Sequence, residues 1–224
     1  MKIRENILEL RKDIEKYSPD PAKVILLPTT KYVDAYGILE VVKAGCRILG
    51  ENRVQALDEK RNILNSLGET DIEWHFIGNL QKNKVKYIAP YIHMIHSVNK
   101  LSLAKEIDKR AKQNNRRIKV LLEVNISNEE SKEGYSIERL YEELPDLLKF
   151  ENIDICGLMT MAPFTQEEKE IKKVFSDLKK LKDELNKTHF NGDLTELSMG
   201  MTNDYKIALF EGATILRVGS KIFK

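Results

Sequence analysis

Eight short apolar runs rich in β-branched residues recur along the chain, at 24–27, 47–49, 74–77, 94–98, 118–126, 155–159, 197–199 and 215–218. Stretches of helical spacing lie between them. Runs this continuous suit parallel strands that are covered on both faces. Dividing 224 residues among eight runs gives 28 per unit, close to the roughly 30 of a strand with its crossover helix. Regular alternation implies a parallel sheet, and a count of eight implies closure into a single (β/α)8 TIM barrel, an α/β fold. An open doubly wound sheet is the competing arrangement. It usually carries a glycine-rich turn after its first strand, where this chain reads Pro28-Thr29-Thr30-Lys31. No linker or low-complexity tract divides the chain, so residues 1–224 read as one domain.

An extra helix precedes the first strand, because Ile3, Ile7, Leu10 and Ile14 form one apolar stripe. The longest stripe runs through Ile171, Val174, Phe175, Leu178, Leu181 and Leu185, and Thr165 with Glu168 reads as its capping box. Asn99, Ser136 and Asn203 are the expected N-caps, and Gly45, Gly68 and Gly212 the expected helix stops. Pro145 is expected to kink or split the helix over 136–150.

Several functional classes fall away. No apolar run approaches the ~18 residues of a membrane span. The opening Met1-Lys2-Ile3-Arg4-Glu5-Asn6 lacks a signal-peptide core. A net charge of +2 provides no broad field for nucleic acid. Cys46 and Cys156 stand alone in apolar segments, which favours a reducing compartment, so a cytoplasmic location is expected. No Cys or His pair has zinc-ligand spacing, and His93 and His96 point to opposite faces of a strand, so no metal site is expected.

In such a barrel functional groups gather at the carboxyl ends of the strands. Lys31 directly follows the first strand. A lysine in partly apolar surroundings has a lowered pKa and can attack a carbonyl to form a Schiff base. The plainer alternative is a strand-end lysine paired with an acid such as Glu51. The loops after strands seven and eight commonly bind phosphate, and here they read Ser198-Met199-Gly200-Met201-Thr202 and Gly219-Ser220. Small residues, hydroxyls and amide N–H groups suit an anion there, and Arg217 shares a strand face with Gly219. A carbonyl-seeking lysine facing a phosphate cradle matches pyridoxal 5'-phosphate (PLP). It matches a Schiff-base aldolase acting on a sugar phosphate equally well.

The chain resembles the pyridoxal phosphate homeostasis protein family (YggS/PROSC), which is similar in fold to the N-terminal barrel of alanine racemase, a fold type III PLP protein. The resemblance spans nearly the whole chain. It rests on Leu26-Leu27-Pro28-Thr29-Thr30-Lys31, Gly50-Glu51-Asn52-Arg53-Val54-Gln55, the stretch from Trp74-His75-Phe76 to Lys84, and Ser131-Lys132-Glu133-Gly134. Further matches are Gly157-Leu158-Met159-Thr160, Leu197-Ser198-Met199-Gly200-Met201-Thr202-Asn203-Asp204 and Arg217-Val218-Gly219-Ser220. It implies that Lys31 carries PLP as a Schiff base and that Arg217 lies near the pyridine nitrogen or the phosphate. It also implies that Ser198, Met199, Gly219 and Ser220 belong to the cofactor-binding set, with Asn52 and His75 lining the ring pocket. The chain departs from the family pattern at Thr30, in Tyr32-Val33-Asp34, at Asn79 and at Lys224.

The resemblance further implies a monomer that holds PLP and hands it to apo-enzymes, without established turnover. Racemisation needs an acid or base on each face of the substrate carbon. Tyr32, Tyr36 and Tyr135 are the candidates for the second group, since a partner domain like that of the racemases is not expected. An Arg217 guanidinium at the ring nitrogen would leave that nitrogen unprotonated and the ring a poorer electron sink. The alternatives kept open are a PLP-dependent amino-acid racemase, another Schiff-base enzyme, and a scaffold that only presents surfaces.

Overall fold

The computed structural model describes residues 2–129 and 132–224, so Met1 and the Ser131 of the motif above lie outside it. Eight strands, β1 (Ile25–Pro28), β2 (Ile48–Glu51), β3 (Glu73–Phe76), β4 (Met94–Val98), β5 (Ile118–Glu123), β6 (Ile153–Met159), β7 (Glu196–Ser198) and β8 (Ile215–Val218), form one sheet. Its order is β1-β8-β7-β6-β5-β4-β3-β2, and every pairing is parallel. The remaining seam, between β1 and β2, carries a parallel bridge from Thr29 to Gly50. The hydroxyl oxygen of Thr30 also lies 3.2 Å from the Gly50 carbonyl. The result is a nearly closed (β/α)8 barrel.

The N-terminal helix α1 (Ile3–Tyr17) buries the predicted stripe Ile3, Ile7, Leu10 and Ile14. Helices α2 (Ala35–Lys43), α3 (Val54–Ser66), α4 (Val85–Ile88), α5 (Leu101–Gln113), α6 (Ile137–Leu147), α7 (Glu168–Leu185) and α8 (Tyr205–Phe210) follow β1 to β7 in turn. A single turn, α9 (Ser220–Phe223), follows β8. Helix α1 docks at this end of the chain, with Asn6 donating to the Ile222 carbonyl at 3.0 Å and Lys221 paired with Glu9 at 2.8 Å.

Strand alternation divides the core. Val120 and Leu122 of β5 face the helices, while Leu121 joins Leu27, Met94, Cys156, Met159 and Ile215 inside the barrel. Glu123 shares the parity of Leu121 and ends the strand. The predicted run to Ile126 is therefore cut short. Beyond Glu123, Val124 bridges Tyr135 and the chain turns away from the sheet.

Several helix ends differ from expectation. The Leu101 amide at the start of α5 is satisfied by Glu143 at 2.8 Å, whereas Asn99 spends its amide on Glu133. The residue flanking α8 is Asp204, which accepts the Met201 N–H, and not Asn203. Thr165 accepts the Glu167 N–H at 3.1 Å, so it shapes the turn before α7 and does not cap it. Helix α6 runs unbroken through Pro145. With the proline so close to the helix end, the chief loss is the bond to the Tyr141 carbonyl. Ser136 does cap α6, accepting the Arg139 N–H at 3.2 Å. Gly45, Gly68 and Gly212 end helices at φ of 81°, 87° and 90°, the left-handed conformation that suits glycine.

Candidate functional site

The main cavity, about 630 Å³, opens at the carboxyl ends of the strands and gathers residues from all round the barrel. Lys31 lies in it, on a tight turn (Thr30–Tyr32) that leaves β1. That turn is anchored from below. Glu51 at the end of β2 is 1% exposed and pairs with Lys60 of α3 at 2.6 Å. The Thr30 hydroxyl donates to the same carboxylate at 3.0 Å, and the Lys60 ammonium also donates to the Thr30 carbonyl at 2.9 Å. Glu51 is therefore the partner of Lys60 and not of Lys31. Among the described residues Lys31 has no carboxylate within ion-pair distance, and its Nζ lies 5.0 Å from the Tyr32 ring centre.

Arg217 of β8 is buried beneath the cavity and lines it. It donates to the Ser198 hydroxyl at 2.7 Å and to the Thr160 carbonyl at 3.0 Å. Burial pulls its pKa down to about 10, against the opposing fields of Asp204 and Glu123, so it stays charged at neutral pH. No described carboxylate lies within ion-pair distance. The guanidinium thus has no salt-bridge partner among the described residues and keeps donors to spare for a ligand anion or ring atom.

Ser198 continues the network inward. Its hydroxyl lies 2.9 Å from His96 Nδ1, and His96 Nε2 lies 3.0 Å from His75 Nδ1. Burial, with lesser contributions from His93 and Lys119, pushes His75 down to about 3. Burial likewise pushes His96 well below its ordinary value. Both rings are neutral at physiological pH, each with one N–H to donate. The row from Arg217 to His75 therefore has a direction set by tautomer choice.

The loops after β7 and β8 meet through a 3.1 Å bond from the Ser220 hydroxyl to that of Thr202, which also accepts the Lys221 N–H at 3.3 Å. Gly200 sits at φ 91°, and a Cβ there would lie 2.6 Å from that of Ala208. A Cβ on Gly219 would lie 2.7 Å from the Tyr32 ring. Gly219 thus brings the backbone close at the cavity, and Gly200 lets the β7 loop pack closely on α8.

Of the residues predicted from sequence, Lys31, Asn52, Arg217, Gly219 and Ser220 line the cavity together. His75, Ser198 and Met199 do not. Ser198 lies beneath Arg217, His75 is two hydrogen bonds further in, and Met199 packs outward against the helices. Of the three tyrosines, only Tyr32 lines the cavity.

Sequence reasoning missed Ser97, Glu123 and Glu133, which line the opposite wall, and His96 below it. For Glu123 the signal was present: a charged residue with the parity of an inward leucine, at the carboxyl end of a strand. Thr29 and Ser97 carry buried hydroxyls with no partner among the described residues, and both line the cavity.

Residues 2–224 match the family described as "Alanine racemase, N-terminal domain", which gives the class of barrel. The chain is 42% identical to the pyridoxal phosphate homeostasis protein of Aquifex aeolicus, covering 88% of this chain and 85% of that one. It is 36% identical to that of Synechocystis sp., covering 91% and 92%. The chain belongs to the pyridoxal phosphate homeostasis protein family. Its structure is similar to that of PipY from Synechococcus elongatus with PLP bound, with a TM-score of 0.90, 34% identity and full coverage of both chains. An alanine racemase of Clostridium difficile shares the fold at a TM-score of 0.73 and 16% identity, with this chain covering 56% of its length. Among the described residues, no helix is long and apolar enough to cross a membrane.

Proposed function

We propose that this chain binds PLP in the barrel mouth, covalently on Lys31, and serves PLP homeostasis in the cytoplasm by holding the aldehyde and passing it to apo-enzymes. One observation carries the reading: a lysine amine, a buried unpaired guanidinium and the hydroxyl-bearing loops of β7 and β8 open onto one cavity. A buried hydroxyl with no partner among the described residues, on Thr29, supports it as well. Buried polar groups are seldom left unsatisfied unless a ligand or water takes them up.

When bound, PLP supplies an aldehyde that condenses with a primary amine. Lys31 offers that amine, free of any described carboxylate. Arg217 presents a fixed positive charge whose direction is held by Ser198 and Thr160. Gly219, Ser220 and Thr202 offer close backbone approach and hydroxyl groups for the phosphate, and Asn52 borders the ring region. Ser198, Met199 and His75 act from behind this wall, by positioning.

Holding without turnover is the reading for catalysis. The relatives are named as homeostasis proteins, and a protonated Arg217 suits a ring nitrogen that receives no proton. Tyr32, at the cavity with Lys31, favours a second reading as an amino-acid racemase. The test is to incubate purified protein with PLP and record the visible spectrum. A protein-bound band absent from Lys31→Ala supports the proposal, and a colourless wild type overturns it. Chiral analysis of an amino-acid panel separates the two readings, because a racemase exceeds the free-PLP background and a holder does not.

A further inference from the structure

The cavity has a wall that none of the proposed PLP contacts uses, formed by the ends of β4 and β5 and the loop after β5. Ser97 is 2% exposed, and its hydroxyl lacks a partner among the described residues. Glu123 is 4% exposed, and nothing described donates a hydrogen bond to its carboxyl. Glu133 is gripped by two amides, Asn79 Nδ2 on one oxygen and Asn99 Nδ2 on the other, each at 3.0 Å. Those bonds orient the carboxylate and leave its charge intact. The nearest cation in sequence, Lys132, is engaged by Glu129 at 2.6 Å.

A wall of two carboxyl groups and a free hydroxyl is rich in acceptors and suits a cation that carries N–H donors. A primary ammonium has three. A divalent metal ion is the poorer match, because among the described residues no group of three or more His, Cys, Asp or Glu is placed to hold one. Met161, Pro163 and Phe164 line the same cavity, and Phe164 is fully exposed, a surface on which an aliphatic tail can lie. Burial pushes Glu123 up to about 7, with Arg217 pulling it down and Glu133 pushing it up further. A cation at this wall relieves that cost.

We infer that Glu123, Ser97 and Glu133 form a binding subsite for the ammonium group of a primary aliphatic amine, separate from the PLP contacts. The subsite places an external ammonium group in the same cavity as Lys31.

The test is an NMR titration of the full-length chain, free of PLP, with n-butylamine hydrochloride. Butyltrimethylammonium has the same tail and charge but no N–H, and butyrate reverses the charge. Butylammonium is expected to bind, and Glu123→Gln to weaken it about tenfold or more, as for a charge-assisted hydrogen bond. Ser97→Ala, which removes a hydroxyl that bonds nothing described and so should leave the fold intact, is expected to weaken it about threefold. Equal affinity for butylammonium and butyltrimethylammonium overturns the inference. So does unchanged affinity in both variants, or tighter binding of butyrate. Because no PLP is present, failure here leaves the PLP proposal standing, and a wild type that stays colourless with PLP leaves this subsite standing.

Discussion

Lys60→Met tests how the protein holds its key lysine. The Lys60–Glu51 pair is almost wholly enclosed, with side-chain exposures of 11% and 1%. Removing the ammonium strands the Glu51 carboxyl in the β1–β2 seam with only the Thr30 hydroxyl and the Asn52 N–H for company. Breaking a buried pair in this way costs about 3–5 kcal/mol. For a chain of this size each kcal/mol lowers Tm by roughly 2–4 °C, so a fall of about 6–20 °C is expected. A total stability of roughly 5–15 kcal/mol leaves the variant largely folded at room temperature. Lys60 also bonds the Thr30 carbonyl in the turn that carries Lys31, so borohydride trapping of PLP should fall in protein that is still folded. The double variant Lys60→Met/Glu51→Leu, which removes the stranded carboxyl, should regain most of the stability without restoring the trapping. Urea denaturation followed by circular dichroism measures the first effect. A single variant within about 1 kcal/mol of wild type, or a double variant no better than the single, refutes the reasoning.

Three other outcomes follow from the same network. Native Glu123 has a pKa of about 7 against an ordinary 4.5, so the folded state keeps a proton that the unfolded state has lost. Stability from this residue is lost as pH rises from 4.5 through 7, by about 3 kcal/mol; Glu123→Gln should therefore gain on wild type across that window, and a constant difference in urea midpoint contradicts it. His75 and His96 shift the other way, with His75 at about 3. Relative to His75→Gln/His96→Gln, wild type should lose stability as pH falls below 6.5, by up to about 1.4 kcal/mol per pH unit for each ring, and parallel pH profiles exclude this. Gly200→Ala forces a side chain into the left-handed region and against Ala208, at a cost of about 2 kcal/mol or more. A loss below about 0.5 kcal/mol by thermal melting contradicts that assignment.

The barrel was legible because its signal repeats. Each strand is short and nearly continuous in apolar residues, and the glycines at positions 45, 68 and 212 punctuate helices through backbone conformation alone. Helix starts were harder to read, because the group that satisfies an orphan amide can come from far along the chain. Glu143 serves the Leu101 amide across 42 residues, a partner that no local pattern announces. The candidate cofactor wall divided in the same way. Lys31, Arg217, Gly219 and Ser220 follow from the rule that places chemistry at strand ends. The row Ser198–His96–His75 depends on side chains from three strands meeting inside the barrel, and spacing alone cannot display that. Glu123 was hidden in plain view, since a lone acid closing an apolar run passes for the start of a loop.

The central claim is that the amine of Lys31 is the one that takes PLP. Intact-mass spectrometry after incubation with PLP and borohydride reduction, followed by peptide mapping, tests it most directly. One reduced pyridoxyl-phosphate group per chain, on the peptide containing Lys31 and absent from Lys31→Ala, is the expected result. A stable adduct confined to another lysine, or no adduct at all, contradicts it.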